Sequence, residues 1–277
     1  MSNGYESARG NTVMALGHES NYHDCGEGDP VILLHGSGPG VSAWSNWGGV
    51  MPQLASRYRV VAPDIAGFGL TEIKSSVRYN IKFWVQHLLA LMDELSIEKA
   101  ILVGNSFGGA LSMAMALSNP DRVDRIVLMG TPCGEFQITD GLRCALEYEP
   151  SIENMEEMLS LFPFDKSLIN KEMIEARHQA SIRPGAHEAF RSLMPPPQEG
   201  GKTIVRGFPP KTLEQITCKA LVIHGRDDRV VPPACAEKIF NAIPDAQLHM
   251  FGQCGHWVQS EKQQGFLNLL SNFFDED

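Results

Sequence analysis

The sequence predicts an α/β fold, on two observations. Short, near-continuously apolar runs end in Gly, Asp or Asn, as strands buried on both faces require, and helix-length patterns follow them, the rhythm of a largely parallel sheet. Taken in order, the strands are expected at Val31 to His35, Arg59 to Ala62, Ala100 to Gly104, Arg125 to Met129, Ala220 to His224 and Gln247 to Phe251. Ile101-Leu102-Val103 and Leu221-Val222-Ile223 show the apolar character most plainly. A more polar segment from Thr12 to Cys25 fits an antiparallel edge hairpin, and helices fit Asn80 to Leu95, Phe107 to Leu117, Pro233 to Ala242 and Lys262 to Phe274.

The rhythm breaks between Cys133 and Pro210, where helical spacing recurs at Asn154 to Leu161 and Lys171 to Ser181 without a convincing buried strand. Pro195-Pro196-Pro197 and Gly200-Gly201 mark a loop there. The expected organisation is a core from residues 1–133 and 211–277, interrupted by a helical cap at 134–210.

Composition narrows the function classes. The 277 residues carry 23 Lys and Arg against 33 Asp and Glu, a net charge of −10 with no basic run, so nucleic acid is not an expected partner. No apolar stretch is long enough to span a membrane, and the polar, Gly-rich start from Met1 to Ser20 does not read as a signal peptide. Six cysteines without a C-x-x-C pair suit reduced thiols in a cytoplasm. Neither a metal nor a cofactor is implied, since no zinc, calcium or nucleotide-loop motif is complete. The glycines of Ala66-Gly67-Phe68-Gly69 read as a structural turn.

The chemistry concentrates in Gly104-Asn105-Ser106-Phe107-Gly108-Gly109, a G-x-S-x-G nucleophile elbow between a buried strand and a helix. A serine hydroxyl is a weak nucleophile until a histidine, oriented by an acid, takes its proton. Both follow at later strand ends: Gly225-Arg226-Asp227-Asp228, then Gly255-His256-Trp257. The expected triad is Ser106, Asp228 and His256, with Asp227 the competing acid. His35-Gly36-Ser37-Gly38-Pro39-Gly40 fits a loop whose backbone N–H groups hold an oxyanion; Phe107 and one of Ser37 or Gly38 are the expected donors, and His35 is expected to be structural.

Together these motifs resemble the α/β-hydrolase family. His35 to Trp47, the elbow, and Cys254-Gly255-His256-Trp257 are similar to the meta-cleavage product hydrolases of bacterial aromatic degradation, over about Asn21 to Phe274. Phe136 to Leu142 and Ala180 to Gly185 resemble the branch acting on monocyclic ring-fission products. The resemblance implies hydrolysis of a carbon–carbon bond in a 2-hydroxy-6-oxo-2,4-dienoate, with His256 as proton shuttle and Ser106 acting either through an acyl-enzyme or on water. It also implies an oligomer of unspecified size. An anionic substrate needs a local cation; the resemblance points to Arg183, with Asn46, Asn105 and Trp257 at the dienoate end and Leu142 and Val231 around a small C6 substituent. An ester or lactone hydrolase would use the same triad, and a non-catalytic receptor would keep the scaffold without needing it.

Overall fold

The computed structural model describes residues 8–197 and 203–276. Its centre is an eight-stranded sheet in the order β1-β2-β4-β3-β5-β6-β9-β10, formed by β1 (Asn11–Ala15), β2 (His18–Cys25), β3 (Pro30–Leu34), β4 (Arg59–Pro63), β5 (Ala100–Asn105), β6 (Val123–Met129), β9 (Lys219–Gly225) and β10 (Ala246–Phe251). β1 and β2 form the expected edge hairpin. Ala15 pairs with His18 across a two-residue turn in which Leu16 and Gly17 both have positive φ, as a tight hairpin turn with the native strand twist requires. From β4 onward, neighbouring strands run parallel.

The period of two along each strand divides the core into two layers. Ile32, Leu34, Leu102, Ile126 and Val222 face one side, where α3 (Ile81–Glu94), α4 (Phe107–Ser118) and α10 (Ala234–Ala242) contribute Trp84, Leu111 and Ile239. Val31, Leu33, Val103, Val127 and Ile223 face the other, against Trp47 of α1 (Ala43–Trp47) and Phe266, Leu270 and Phe273 of α12 (Gln263–Phe274). All six residues of β5 are buried, which explains the unbroken apolar run from Ala100 to Val103. Among the described residues no helix is long and apolar enough to cross a membrane.

Between α1 and α3 lies α2 (Met51–Leu54). Between β6 and β9 the chain leaves the sheet through α5 (Asp140–Leu146), α6 (Ile152–Leu159), α7 (Lys171–Ser181), α8 (Ala186–Leu193) and α9 (Pro210–Leu213). α7 has its expected bounds, whereas α6 starts two residues early because the Ser151 hydroxyl caps the Asn154 N–H. This inserted segment also holds a ribbon absent from the sequence reading: β7 (Glu135–Gln137) pairs antiparallel with β8 (Ile204–Arg206). Three-residue strands with exposed members carry no buried run to read. Pro195 to Pro197 have no regular structure, as expected, and Gly200-Gly201 lie outside the described residues. α11 (Val258–Glu261) precedes α12.

Candidate active site

The elbow is a steric consequence of its glycines. A Cβ on Gly104 would lie 2.4 Å from the Gly108 carbonyl carbon, and one on Gly108 would lie 2.1 Å from the Leu34 carbonyl oxygen, so neither position accepts a side chain. Between them Ser106 takes φ 53° and ψ −111°, a left-handed conformation that costs a non-glycine residue of order 1–3 kcal/mol and is held here by the surrounding packing. Its N–H donates to the Met129 carbonyl at 2.8 Å. Among the described residues the Ser106 hydroxyl makes no hydrogen bond, to His256 or to any other acceptor.

His256 approaches from the end of β10. Its ring packs on Gly130, the residue after Met129, where an added Cβ would come within 3.0 Å of Nδ1 and Cε1. Nδ1 lies 2.7 Å from Asp228 Oδ2. A carboxylate only accepts, so Nδ1 carries the proton and Nε2 is left as the base. Asp228 Oδ1 accepts from the Val230 and Val231 N–H groups at 2.7 and 2.9 Å. Burial drives the Asp228 carboxyl upward, but the His256 charge and hydrogen bonds from His224 and His256 outweigh it and hold it well below the usual carboxylate range. Asp227, the competing acid, instead accepts from the Cys254 N–H at 3.4 Å and pairs with Arg226 at the surface.

The oxyanion loop is fixed from below. His35 is fully buried; its Nδ1 donates to the Gly36 carbonyl at 2.7 Å and its Nε2 accepts the Ile65 N–H at 2.9 Å, a structural role as expected. Asn46 Oδ1 accepts the Gly36 N–H at 3.1 Å, and Asn105 Nδ2 donates to the Met129 carbonyl at 3.3 Å. The following residues, Ser37 and Gly38, line a cavity of about 1280 Å³ together with Asn46, Asn105, His256 and Trp257. Phe107 opens α4, so its N–H has no intrahelical partner and is available as a second donor.

α7 closes one wall. Its Arg177 carbonyl occupies the space a Cβ on Gly40 would need, at 2.2 Å, and its guanidinium comes within 3.5 Å of the Cβ position of Gly38. Arg177 Nε is shielded from water without a hydrogen-bond partner, and no carboxylate pairs with this arginine among the described residues. Burial pulls its pKa down to about 10, a sign of a cation lacking compensation.

These features match known proteins. The α/β hydrolase fold family matches residues 29–263. The chain is 46% identical to the 2-hydroxy-6-oxo-2,4-heptadienoate hydrolase of Pseudomonas putida strain F1, over 95% of each chain. It is 44% identical to the 2-hydroxymuconate semialdehyde hydrolase of Pseudomonas sp. strain CF600, over 96% of this chain and 94% of that one. The solved meta-cleavage product hydrolase of Pseudomonas fluorescens IP01 superposes with a TM-score of 0.91 at 44% identity, covering 97% of this chain and 98% of that one. The chain belongs to the α/β-hydrolase family, among its meta-cleavage product hydrolases.

For this hydrolase the structure brings Ser37, Gly38, Asn46, Asn105, Arg183, His256 and Trp257 to one cavity wall or another. Leu142 and Val231 are not among the residues that line this cavity, and neither are Ser106 and Phe107: Leu142 packs on the hydrophobic core, and Val231 is buried with its N–H committed to Asp228. Arg183 lines the cavity but is engaged, donating to the Gly69 carbonyl and facing the charge of buried Asp64. Arg177 went unnoticed in the sequence, where it reads as one more polar residue of a cap helix. The available signal was Gly40, whose missing side chain makes room for α7.

Proposed function

We propose that this hydrolase cleaves a carbon–carbon bond in 2-hydroxy-6-oxo-2,4-dienoate ring-fission products bearing hydrogen or small alkyl at C6, giving 2-hydroxypenta-2,4-dienoate and a carboxylic acid. The observation that carries the reading is the uncompensated Arg177 guanidinium on the wall of the cavity that His256 also lines. A dienoate carboxylate supplies the missing counter-charge and can take the planar fork in two hydrogen bonds. The substrate named for the Pseudomonas putida relative is a heptadienoate, in keeping with a methyl group at C6.

The residues then divide the work. His256 Nε2 moves the proton of the 2-hydroxyl to C5, which turns the dienol into a ketone able to receive electrons. Ser106 delivers oxygen to the C6 carbonyl, as its own alkoxide or by activating water, and His256 takes the released proton. The oxyanion at C6 rests on the Phe107 N–H and that of Ser37 or Gly38, donors worth about 3–4 kcal/mol each. When C5–C6 breaks, its electron pair flows through C4 and C3 to the C2 carbonyl and regenerates a dienol. On the alkoxide route this leaves an acyl ester on Ser106, which water, giving its proton to His256, then hydrolyses to the carboxylic acid and the free serine. On either route the net result is water added across the bond, hydroxyl to C6 and hydrogen to the dienol. Residues 134–210 act as the lid that keeps other water out, and the six free cysteines suit the reducing cytoplasm as the place of action.

The test follows the loss of visible absorbance of the ring-fission products of catechol, 3-methylcatechol and 2,3-dihydroxybiphenyl, beside a p-nitrophenyl ester. The first two should have the highest kcat/KM. A p-nitrophenyl ester turned over better than every dienoate would make the protein an esterase and sink the proposal.

A further inference from the structure

Glu261, at the end of α11 and five residues beyond the catalytic histidine, divides its two carboxylate oxygens between two different loops. Oε1 accepts the Gly255 N–H at 2.9 Å. Oε2 accepts the Phe164 N–H at 2.7 Å and, more weakly, that of Asp165 at 3.4 Å. Gly255 adjoins His256, whereas Phe164 and Asp165 belong to the inserted segment, almost a hundred residues away in sequence.

The two loops also touch directly. The His256 N–H donates to the Phe162 carbonyl at 2.7 Å. The Phe162 ring stands edge-on to the His256 imidazole, with centroids 5.6 Å apart and planes at 75°, and it lines the cavity. The approach is so close that a Cβ on Gly255 would fall 2.3 Å from the Phe162 carbonyl oxygen. Asp228 sets the imidazole from the Nδ1 side, but the backbone that carries the ring is held from the lid side, by Phe162 and by Glu261.

We propose that Glu261 is a positioning residue that clamps the His256 loop to the 162–165 stretch of the lid, so that the lid's placement and the aim of the catalytic base are set together. The carboxylate suits this task because it only accepts and each oxygen faces a backbone donor. The isosteric amide has a single acceptor oxygen; its NH2 would confront an N–H and lose one of the loops. The ring itself is not contacted by Glu261, so the effect travels through the backbone of Gly255 and His256.

The experiment compares the parent with Glu261→Gln, Glu261→Asp and Glu261→Ala by steady-state kinetics on the 3-methylcatechol ring-fission product, at a temperature well below each variant's melting point. Small misplacements of a catalytic group cost up to about a hundredfold, so kcat should fall on the order of tenfold or more in Glu261→Gln and further in Glu261→Ala, with KM within about twofold. Glu261→Asp, which keeps an acceptor-only group on a shorter arm, should lie between the parent and Glu261→Gln. Amide hydrogen exchange should accelerate in residues 255–256 and 164–165 of the variants and stay unchanged in β5 and β6. A purely structural role predicts a lower melting temperature with kcat retained in the folded protein, and that result overturns the proposal, as does unchanged exchange at both loops. The inference rests on the dienoate reading only for its substrate: should the parent fail on every dienoate, the same comparison is made with a p-nitrophenyl ester, whose hydrolysis needs the same base, and the exchange measurement is independent of either.

Discussion

His224 Nε2 lies 3.2 Å from Asp228 Oδ2, the same oxygen that holds His256, and 3.0 Å from the Val231 carbonyl. A carbonyl cannot donate, so Nε2 carries a proton shared with both acceptors. The Asp228 side chain, fully buried, is thus surrounded by four donors, two backbone and two imidazole. Replacing His224 by Leu removes one donor and leaves the Val231 carbonyl unpaired in a buried site, a loss of about 1–3 kcal/mol. Denaturant unfolding should show that drop, and His224→Gln, which restores an N–H, should recover part of it. Full stability in His224→Leu would mean the second imidazole contributes nothing to the acid.

Arg177 and Arg183 should separate by substrate. Arg177 has a guanidinium nitrogen without a partner, whereas Arg183 is tied to Gly69. Arg177→Gln should cost about 2–5 kcal/mol in kcat/KM for the dienoate, the range for breaking a buried charge pair, and much less for a neutral ester. The free protein should lose little stability or gain some, since an uncompensated buried cation disappears. Arg183→Gln should instead lower both substrates together through the 64–71 turn. Equal losses on dienoate and ester in Arg177→Gln would remove the carboxylate from this position.

What the sequence reveals and what it hides follow from the range of the interactions. β5 and β9 are readable because burial on both faces forces unbroken apolar runs, and the elbow because Gly104 and Gly108 meet backbone within a few residues or the adjacent strand. Ser106, Asp228 and His256 follow the ends of β5, β9 and β10, so their order along the chain is itself readable. Arg177 is different: its role depends on how α7 lies across Gly38 and Gly40, a contact over more than 130 residues that no local pattern records. The β7–β8 ribbon hides for the same reason, being short and paired across about 70 residues. Leu142 and Val231 are apolar in the right neighbourhood, and only the packing of α5 on the loop after Asp228 shows that they fill core instead of cavity.

Stability should fall on moderate acidification. Burial, with the charge of Arg177 adding to it and the Gly36 carbonyl opposing, lowers the His35 pKa from 6.5 to about 4; burial and neighbouring His18 lower that of His87 to about 4. A histidine whose folded pKa is depressed contributes stability that is complete above 6.5 and is lost as pH falls towards 4. Asp64 works the other way: burial raises it from 3.8 to about 6 against bonds from Leu70, Ala43 and Asn21, so the folded state gains stability as pH falls through about 6 towards 3.8. Two histidines oppose one carboxyl, and the net direction is loss. His87 does not line the cavity and is bonded to Ser20 at 2.8 Å, which makes it the clean test. In His87→Leu the decline between pH 6.5 and 4 should shrink by about 2–4 kcal/mol. A pH–stability curve parallel to that of the parent would refute the assignment.

Ser106→Ala and Gly108→Ala separate chemistry from architecture within three residues. Alanine at 106 inherits the same left-handed backbone and the same N–H bond to Met129, and it removes only a hydroxyl that no neighbour uses. Its melting temperature should stay near that of the parent, and the oxyanion donors and Arg177 should still bind the dienoate. Hydrolysis should drop by several orders of magnitude, because a nucleophile that acts as a unit with its base leaves little when removed. Rapid mixing of this variant with the yellow substrate offers a further reading: an absorbance shift without release of the carboxylic acid would report ketonisation by His256 alone. At 108 the added methyl group meets the Leu34 carbonyl at 2.1 Å, backbone that cannot yield without moving β3. That variant should lose stability by more than about 1–3 kcal/mol, the usual cost of overpacking, and lose activity with its fold. Retention of hydrolysis within about tenfold in Ser106→Ala would take the nucleophile away from the elbow. A Gly108→Ala protein that melts like the parent would show that the turn tolerates a side chain after all, and the steric account of its glycines would have to be abandoned.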